Sequence, residues 1–261
     1  AFDNIDRVTQ GGVTETRLYD DYANLCKLIR PGVGTTAYSY NIFGDVEWIA
    51  EGVGGSASSC DLASVPAAAK IVHTYDNRGA LHKVTYPDNT PEKVSVLNAE
   101  GSLLSLTAGS AMWEYEYNSL QQVEREIFTI DSVSWLLDPI YNSLGHVESL
   151  IYPSGIQVAF APHAFGQPKQ VCDYISAVQY HPTGDVKSYT YGNGLQFAQT
   201  LDELQRLDVS TVKKQNSLLI GLDHGYDDNQ NITSITDLVT PTKSISLDYD
   251  ELNRLDTASG F

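Results

Sequence analysis

Apolar and polar positions alternate along this chain with a period of two over short stretches, and each stretch ends in a cluster of Asp, Asn, Gly or Pro. Val84 and Tyr86, Leu150 and Tyr152, and Tyr189 and Tyr191 lie two residues apart, so each pair shares one face of a strand. Aromatic and β-branched runs between such clusters predict strands joined by tight turns. Twenty glycines, sixteen tyrosines and a single methionine favour strands and tight turns over helices, and only the Ala67-Ala68-Ala69 run is expected to form a short helical turn. The pattern predicts an all-β chain of many short strands.

The strands come in a repeat. Tyr75-Asp76-Asn77-Arg78-Gly79-Ala80-Leu81 returns as Tyr40 to Val46 with Gly44, as Tyr141 to Val147 with Gly145, and as Tyr180 to Val186 with Gly184. Versions without the glycine begin at Tyr117, Tyr226 and Tyr249, and weaker copies at Phe2, Tyr22, Leu97, Pro162 and Leu201. These make twelve units spaced 18 to 25 residues apart, with one gap of 35. The anchor is aromatic in nine, the next residue is Asp or Asn in nine, and the sixth residue after the anchor is aliphatic in eleven.

Each column has a physical meaning. Asp or Asn at the first turn position can accept a hydrogen bond from the backbone two residues on. Glycine four residues after the anchor supplies a positive φ at low steric cost, although Gln121, Gln205, Gln230 and Asn253 occupy the same slot. A second turn ends several units, as in Tyr86-Pro87-Asp88, Tyr152-Pro153-Ser154-Gly155 and Tyr191-Gly192-Asn193-Gly194. Two strands and two turns therefore fill about 20 residues, and one such hairpin cannot bury its apolar side chains alone. The tyrosines are expected to stack from unit to unit along one line of the sheet. The expected structural residues are Tyr40, Gly44, Tyr75, Asp76, Gly79, Leu81, Tyr141, Gly145, Tyr180, Gly184, Tyr226 and Tyr249.

Other repeat architectures fit less well. The leucine density of leucine-rich repeats is absent, pairs of units do not differ as four-stranded propeller blades require, and no Gly-Gly-x-Gly-x-Asp calcium repeat recurs. The long gap holds a Gly/Ser/Ala-rich insertion near residues 51–70, expected to be a flexible loop followed by a short helical turn at the Ala run. Because the repeat resumes in phase at Tyr75, the insertion decorates a single array over residues 1–261 rather than dividing it. The chain opens on Ala1-Phe2-Asp3-Asn4 without a signal peptide, and is expected to be part of a longer one.

The phrases resemble the YD repeats of the Rhs family, most closely at Tyr75 to Leu81 and Tyr249 to Leu255, and the resemblance covers nearly the whole chain. The family includes bacterial polymorphic toxins, shell components of insecticidal toxin complexes, and the extracellular teneurin shell. The resemblance implies one long curved antiparallel sheet, a segment of a spiralling shell that encloses a toxic polypeptide until delivery. It implies a secreted or cell-surface bacterial protein whose partners are other repeats of the parent chain and an enclosed toxin or effector domain. An adhesion or carbohydrate-binding module on the same sheet, with glycans as partners, is the alternative. Rhs toxins self-cleave at a D-P-x-G-L phrase; Asp138-Pro139-Ile140-Tyr141 starts like it but lacks the Gly and Leu, and is expected to be a plain turn.

Composition narrows the function further. Acidic residues outnumber basic ones 33 to 16, for a net charge of −17, which is not a nucleic-acid footprint. No apolar run approaches the ~20 residues of a membrane-spanning helix. Nucleophile-elbow, Walker, zinc-protease and dinucleotide signatures are missing, so no enzyme and no cofactor are expected. The six histidines are scattered, with His163 and His181 in the turn column and His82 and His146 beside the aliphatic one. Asp227, Asn229 and Asn231 have the alternate spacing of a calcium loop, but Ile232 replaces its glycine and Leu238 its final glutamate. Trp48, Trp113 and Trp135 are expected to pack in the sheet rather than to form a sugar platform. Cys26, Cys60 and Cys172 are odd in number and widely separated, and are expected to be buried or incidental thiols.

Overall fold

The structure, a computed structural model, describes residues 4–260. The weak unit anchored at Phe2 therefore starts outside the described residues. Strands dominate, and among the described residues the only helical pieces are three single 3₁₀ turns, Leu62–Ser64, Ala67–Ala69 and Pro241–Lys243. Fourteen strands, from Arg7–Gln10 to Gln157–Ala159, form one antiparallel ladder in chain order; eight more, from Ile175–Tyr180 to Leu255–Ser259, form a second. Within each sheet the strands pair in chain order, each inner strand with the one before and the one after it, the connectivity expected of hairpins in series. The chain separates into two compact units, Ala1–Leu136 and Leu137–Phe261, with the division inside the strand Val133–Tyr141.

Within each unit the sheet is a single layer. In the second unit, Tyr189, Phe197, Val212 and Ile220 stand opposite one another on four successive strands, and the neighbouring row is Ser188, Ala198, Thr211 and Gly221. Apolar and small hydroxyl rows thus alternate as the period of two requires. In the first unit Trp113 pairs with Leu106 and Phe128. Its ring lies 4.8 Å from Phe128, whose ring is 5.7 Å from Trp135, so the aromatic strip packs along the sheet. Few hydrophobic side chains are fully buried: Cys26, Leu28, Ala37, Trp48, Ala50, Val65 and Val158 among the described residues. The accessible surface is 16639 Å², whereas two separate globular proteins of half this mass would expose only ~13,600 Å² together. Main-chain ladders and turns carry this fold, not a solid core.

Three expectations are corrected here. The insertion is not a loose loop. Its 3₁₀ turns lead into the strand Lys70–Tyr75, and Val65 is buried against Ala37, Trp48 and Ala50. Cys26 and Cys60 are not incidental thiols but a disulfide, while Cys172 is free. Asp138 and Pro139 do not form a turn; they are ladder residues opposite Ile151 and Leu150, because the register set by Tyr141 places them inside the strand that leads to it.

Candidate functional site

The feature that recurs in both units is the turn, and its geometry explains each column. In the unit of Tyr75, the Asp76 N–H donates to the Ala80 carbonyl at 2.8 Å and the Gly79 N–H to the Asp76 carbonyl at 3.1 Å. Asp76 Oδ1 accepts the N–H groups of Arg78 and Ala80, both at 2.9 Å. One side-chain oxygen thereby satisfies two turn donors that the ladder cannot reach. The same double acceptance is made by the side chains of Asp20, Asn41, Asn118, Asn142, Asp202, Asp227 and Asp250. His163 makes half of it, its Nδ1 accepting from the Phe165 N–H. Asp227 is thus a turn residue with its oxygens engaged by its own loop, and among the described residues no cluster of His, Cys, Asp and Glu suits a metal ion.

The fourth position after the anchor has positive φ in every described unit. The values are +88° at Gly44, +82° at Gly79, +80° at Gly145 and +97° at Gly184. Gln121, Gln205, Gln230 and Asn253 adopt the same left-handed conformation at +60° to +71°. Where a unit's two strands pair, one residue is then skipped, so that Tyr75 lies opposite Leu81 while Thr74 lies opposite Lys83. This bulge lets a five-residue turn join two strands in register.

The structure also moves one unit. The anchor is not Tyr22, which is 85% exposed, but Tyr19. Asp20 makes the side-chain turn bonds, Ala23 takes the positive φ at +67°, and Leu25 stands opposite Tyr19. Tyr19-Asp20-Asp21-Tyr22 offers two tyrosines in one phrase, and only the ladder register distinguishes them.

The anchor tyrosines do not form a column of stacked rings. Successive anchors sit two strands apart, roughly 9.6 Å, beyond ring contact. Six anchor hydroxyls instead donate to the backbone carbonyl of the sixth residue in the preceding unit, while Tyr19 donates to the Ile5 carbonyl at 2.9 Å. Tyr40 reaches Leu25 at 3.0 Å, Tyr75 reaches Val46 at 2.7 Å, and Tyr117 reaches Leu103 at 2.7 Å. Tyr180 reaches Pro168 at 2.7 Å, Tyr226 reaches Leu207 at 2.8 Å, and Tyr249 reaches Ile232 at 3.0 Å. These carbonyls lie past the end of the ladder between units: the pairing from Val46–Glu51 to Lys70–Tyr75 stops at Trp48 opposite Val72. The phenol closes the gap where main-chain pairing runs out. Burial raises the pKa of Tyr40, Tyr75, Tyr180 and Tyr226. Where the anchor is Leu97, Ser95 supplies the hydroxyl and donates to the Leu81 carbonyl at 2.7 Å.

A second pairing, between the first and fifth residues after the anchor, was missed in the sequence although it is visible there. Where the first is Asp, the fifth is a donor. Asn24 reaches Asp20, Arg206 reaches Asp202, Asn231 reaches Asp227 and Arg254 reaches Asp250. In two turns where the first is Asn, the fifth accepts: Asp45 from Asn41 and Gln122 from Asn118. Asp76 has Ala80 at that place, and Arg78 takes over, pairing with the carboxylate and also donating to the Asn98 carbonyl of the next turn at 2.6 Å. Backbone N–H bonds first, then Arg78 and Arg206, hold Asp76 and Asp202 below the usual carboxylate range. For Asp227 and Asp250 the leading causes are the side chains of Asn231 and Arg254. Arg206 also lies over the Tyr226 ring, 4.2 Å from its centroid.

Within each unit the structure places the expected Asp, Asn and Gly residues in the turns and the expected tyrosines at the strand ends beside them. A cleft of about 830 Å³ opens between the turns of Asn41 and Asp76, walled by Phe43, Glu47, His73 and Arg78. His82 and His181 bond backbone carbonyls through a ring nitrogen, and His146 is packed close to Gly166.

No family model matches the chain, and no curated protein does. Solved structures do. The chain superposes on the TcdB2–TccC3 complex with a TM-score of 0.66 at 15% identity, covering 94% of this chain and 14% of that one. The Photorhabdus luminescens Tc holotoxin pore gives the same figures, and the TcdB2–TccC3–Cdc42 complex gives 0.64 at 14% identity over 95% of this chain and 15% of that one. The chain therefore spans about a seventh of the length of these neighbours. At 14–15% identity this likeness is one of fold, which in this chain is antiparallel hairpins in series.

Proposed function

We propose that this chain is a non-catalytic structural segment of a Rhs-type β-shell, part of a wall that encloses a toxic polypeptide until delivery. The observation that carries the reading is the single-layer sheet closed unit to unit by tyrosine hydroxyls, which superposes over 94–95% of its length on toxin-complex structures. A wall needs a continuous, laterally bonded sheet with two usable faces. Alternating apolar and hydroxyl rows supply the faces, and the turn bonds supply continuity along the edge. The excess of 33 acidic over 16 basic residues keeps an exposed face soluble through self-repulsion. Secretion by a bacterium, as part of a toxin, follows from the same reading.

Two measurements test it. Small-angle scattering with in-line light scattering, on the purified chain, is expected to give a monomer whose radius of gyration exceeds the ~18 Å of a solid globule of this length. Native proteinase K digestion of the full-length gene product is expected to leave the repeat wall and an enclosed segment intact together. A compact radius, or digestion of everything but the repeats, overturns the container. Binding on a glycan array with a compact radius would favour adhesion instead.

A further inference from the structure

The strands Val46–Glu51 and Lys70–Tyr75 pair directly, with Ala50 opposite Lys70. The ladder thus needs only a short turn between them, yet residues 52–69 intervene. They fold back across the sheet rather than loop away. Val65 rests on Ala37, Trp48 and Ala50, joined by Val53, Leu62 and Ala69. Cys60 then bonds Cys26 on the strand Leu25–Arg30, two strands beyond the one the segment leaves. Cys26 is the extra residue of a bulge, since Tyr19 lies opposite Leu25 and Leu18 opposite Lys27. A bulge re-aims a side chain, and here it places a fully buried sulfur under the segment. The adjacent Lys27, 1% exposed, donates from Nζ to the Ser56 carbonyl at 3.2 Å. Lys27, Ala37, Ala50 and Lys70 form one cross-strand row, and the Lys70 ammonium lies 4.2 Å over the Trp48 ring.

We propose that the Cys26–Cys60 bond is a redox latch: it holds segment 52–69 closed over this row in an oxidising compartment, and a dithiol reductant releases it. Beyond the bond, the segment keeps one small apolar cluster, the lysine contact and one backbone bond from the Val53 N–H to the Thr35 carbonyl, too little to order 18 residues against their chain entropy. Cys26 is inaccessible and Cys60 is partly exposed, so the attack falls on the Cys60 sulfur. A thiolate of the reductant forms a mixed disulfide with Cys60 and expels the Cys26 thiolate. The reductant's second thiolate then closes its own disulfide and expels Cys60. Two electrons pass to the protein, and each thiolate takes up a proton. Release leaves the hairpin ladders intact and uncovers Trp48 and Lys27. The latch does not depend on the shell reading.

Elastase suits the Gly, Ser, Ala and Val content of the segment. Timed digestion of the purified chain, read by mass spectrometry, is expected to cut within residues 52–69 at least about tenfold faster after reduction with dithiothreitol. Far-UV circular dichroism of the strands should stay unchanged. A Cys60→Ala variant should cut at the fast rate with or without reductant. Thiol titration of the oxidised, unfolded protein should find one free thiol, Cys172. Three free thiols, equal cutting rates in the two states, or loss of the whole strand signal on reduction would each overturn the latch. None of these outcomes bears on the scattering test of the shell.

Discussion

If the tyrosine hydroxyls close the sheet, removing one should cost a hydrogen bond and nothing else. Tyr75→Phe keeps the ring and deletes the bond to the Val46 carbonyl, 2.7 Å long and half-buried. A net hydrogen bond is worth about 1 kcal/mol, and a carbonyl left without a donor beyond the ladder's end raises this to about 1.5 kcal/mol. Tyr117→Phe removes an equivalent bond to Leu103 two units away, so the double variant should lose about 2–3 kcal/mol. Tyr22→Phe is the control: it is 85% exposed and should change stability by less than about 0.5 kcal/mol. Urea unfolding followed by tryptophan fluorescence suits the question, because Trp48, Trp113 and Trp135 all lie in the first unit. With a slope of about 2 kcal/mol/M, the midpoint should fall by roughly 0.6 M for Tyr75→Phe and by roughly twice that for the double variant. If Tyr75→Phe matches the wild type while Tyr75→Leu unfolds early, the ring and not the hydroxyl joins the units, and the reasoning fails.

Other consequences follow from the turns. Arg206→Asp sets a second carboxylate against Asp202 and should lower the unfolding midpoint; adding Asp202→Asn recreates the Asn41–Asp45 arrangement and should recover part of the loss in a double-mutant cycle. Gly79→Ala meets no atom within 4 Å and should cost only the left-handed backbone, about 1 kcal/mol, whereas Gly166→Ala at φ +86° also drives its Cβ to 2.9 Å from the His146 ring and should cost more by thermal melting. Gln121→Gly relieves the same strain at φ +60° and should stabilise by up to about 1 kcal/mol in urea. Asp76, Asp202, Asp227 and Asp250 have folded pKa values below their usual range, so their stabilisation is complete above pH ~4 and is lost as pH falls through the lowered values. The half-buried tyrosines are shifted the other way, Tyr189 to about 12 through partial burial and its bond to the Tyr191 hydroxyl. Their contribution is complete below pH ~10 and disappears as pH rises through the raised values. Urea midpoints flat from pH 2 to pH 12 would contradict both assignments.

Much of this protein is local, and what is local was legible. The turn phrase spans seven residues, so its Asp or Asn, its left-handed fourth position and its aliphatic sixth are readable wherever the chain repeats them; even Gln121 and Asn253 were placed correctly in a slot that favours glycine. The period of two showed which residues share a face. The matched residues at the first and fifth positions were equally local, and became visible only once Asn41–Asp45 and Asp202–Arg206 showed opposite directions of donation. What depends on a neighbouring unit was not readable. A tyrosine in a strand looks the same whether its ring stacks or its hydroxyl meets a carbonyl one unit back. Tyr19 and Tyr22 compete until a ladder chooses between them. The cysteines at 26 and 60 are 34 residues apart with no common spacing, and only a bulge and a folded-back segment bring them together. Sequence alone settled the repeating unit, because turn chemistry acts within a few bonds. Tertiary structure settled how units are joined, because those bonds begin where each unit's own ladder ends.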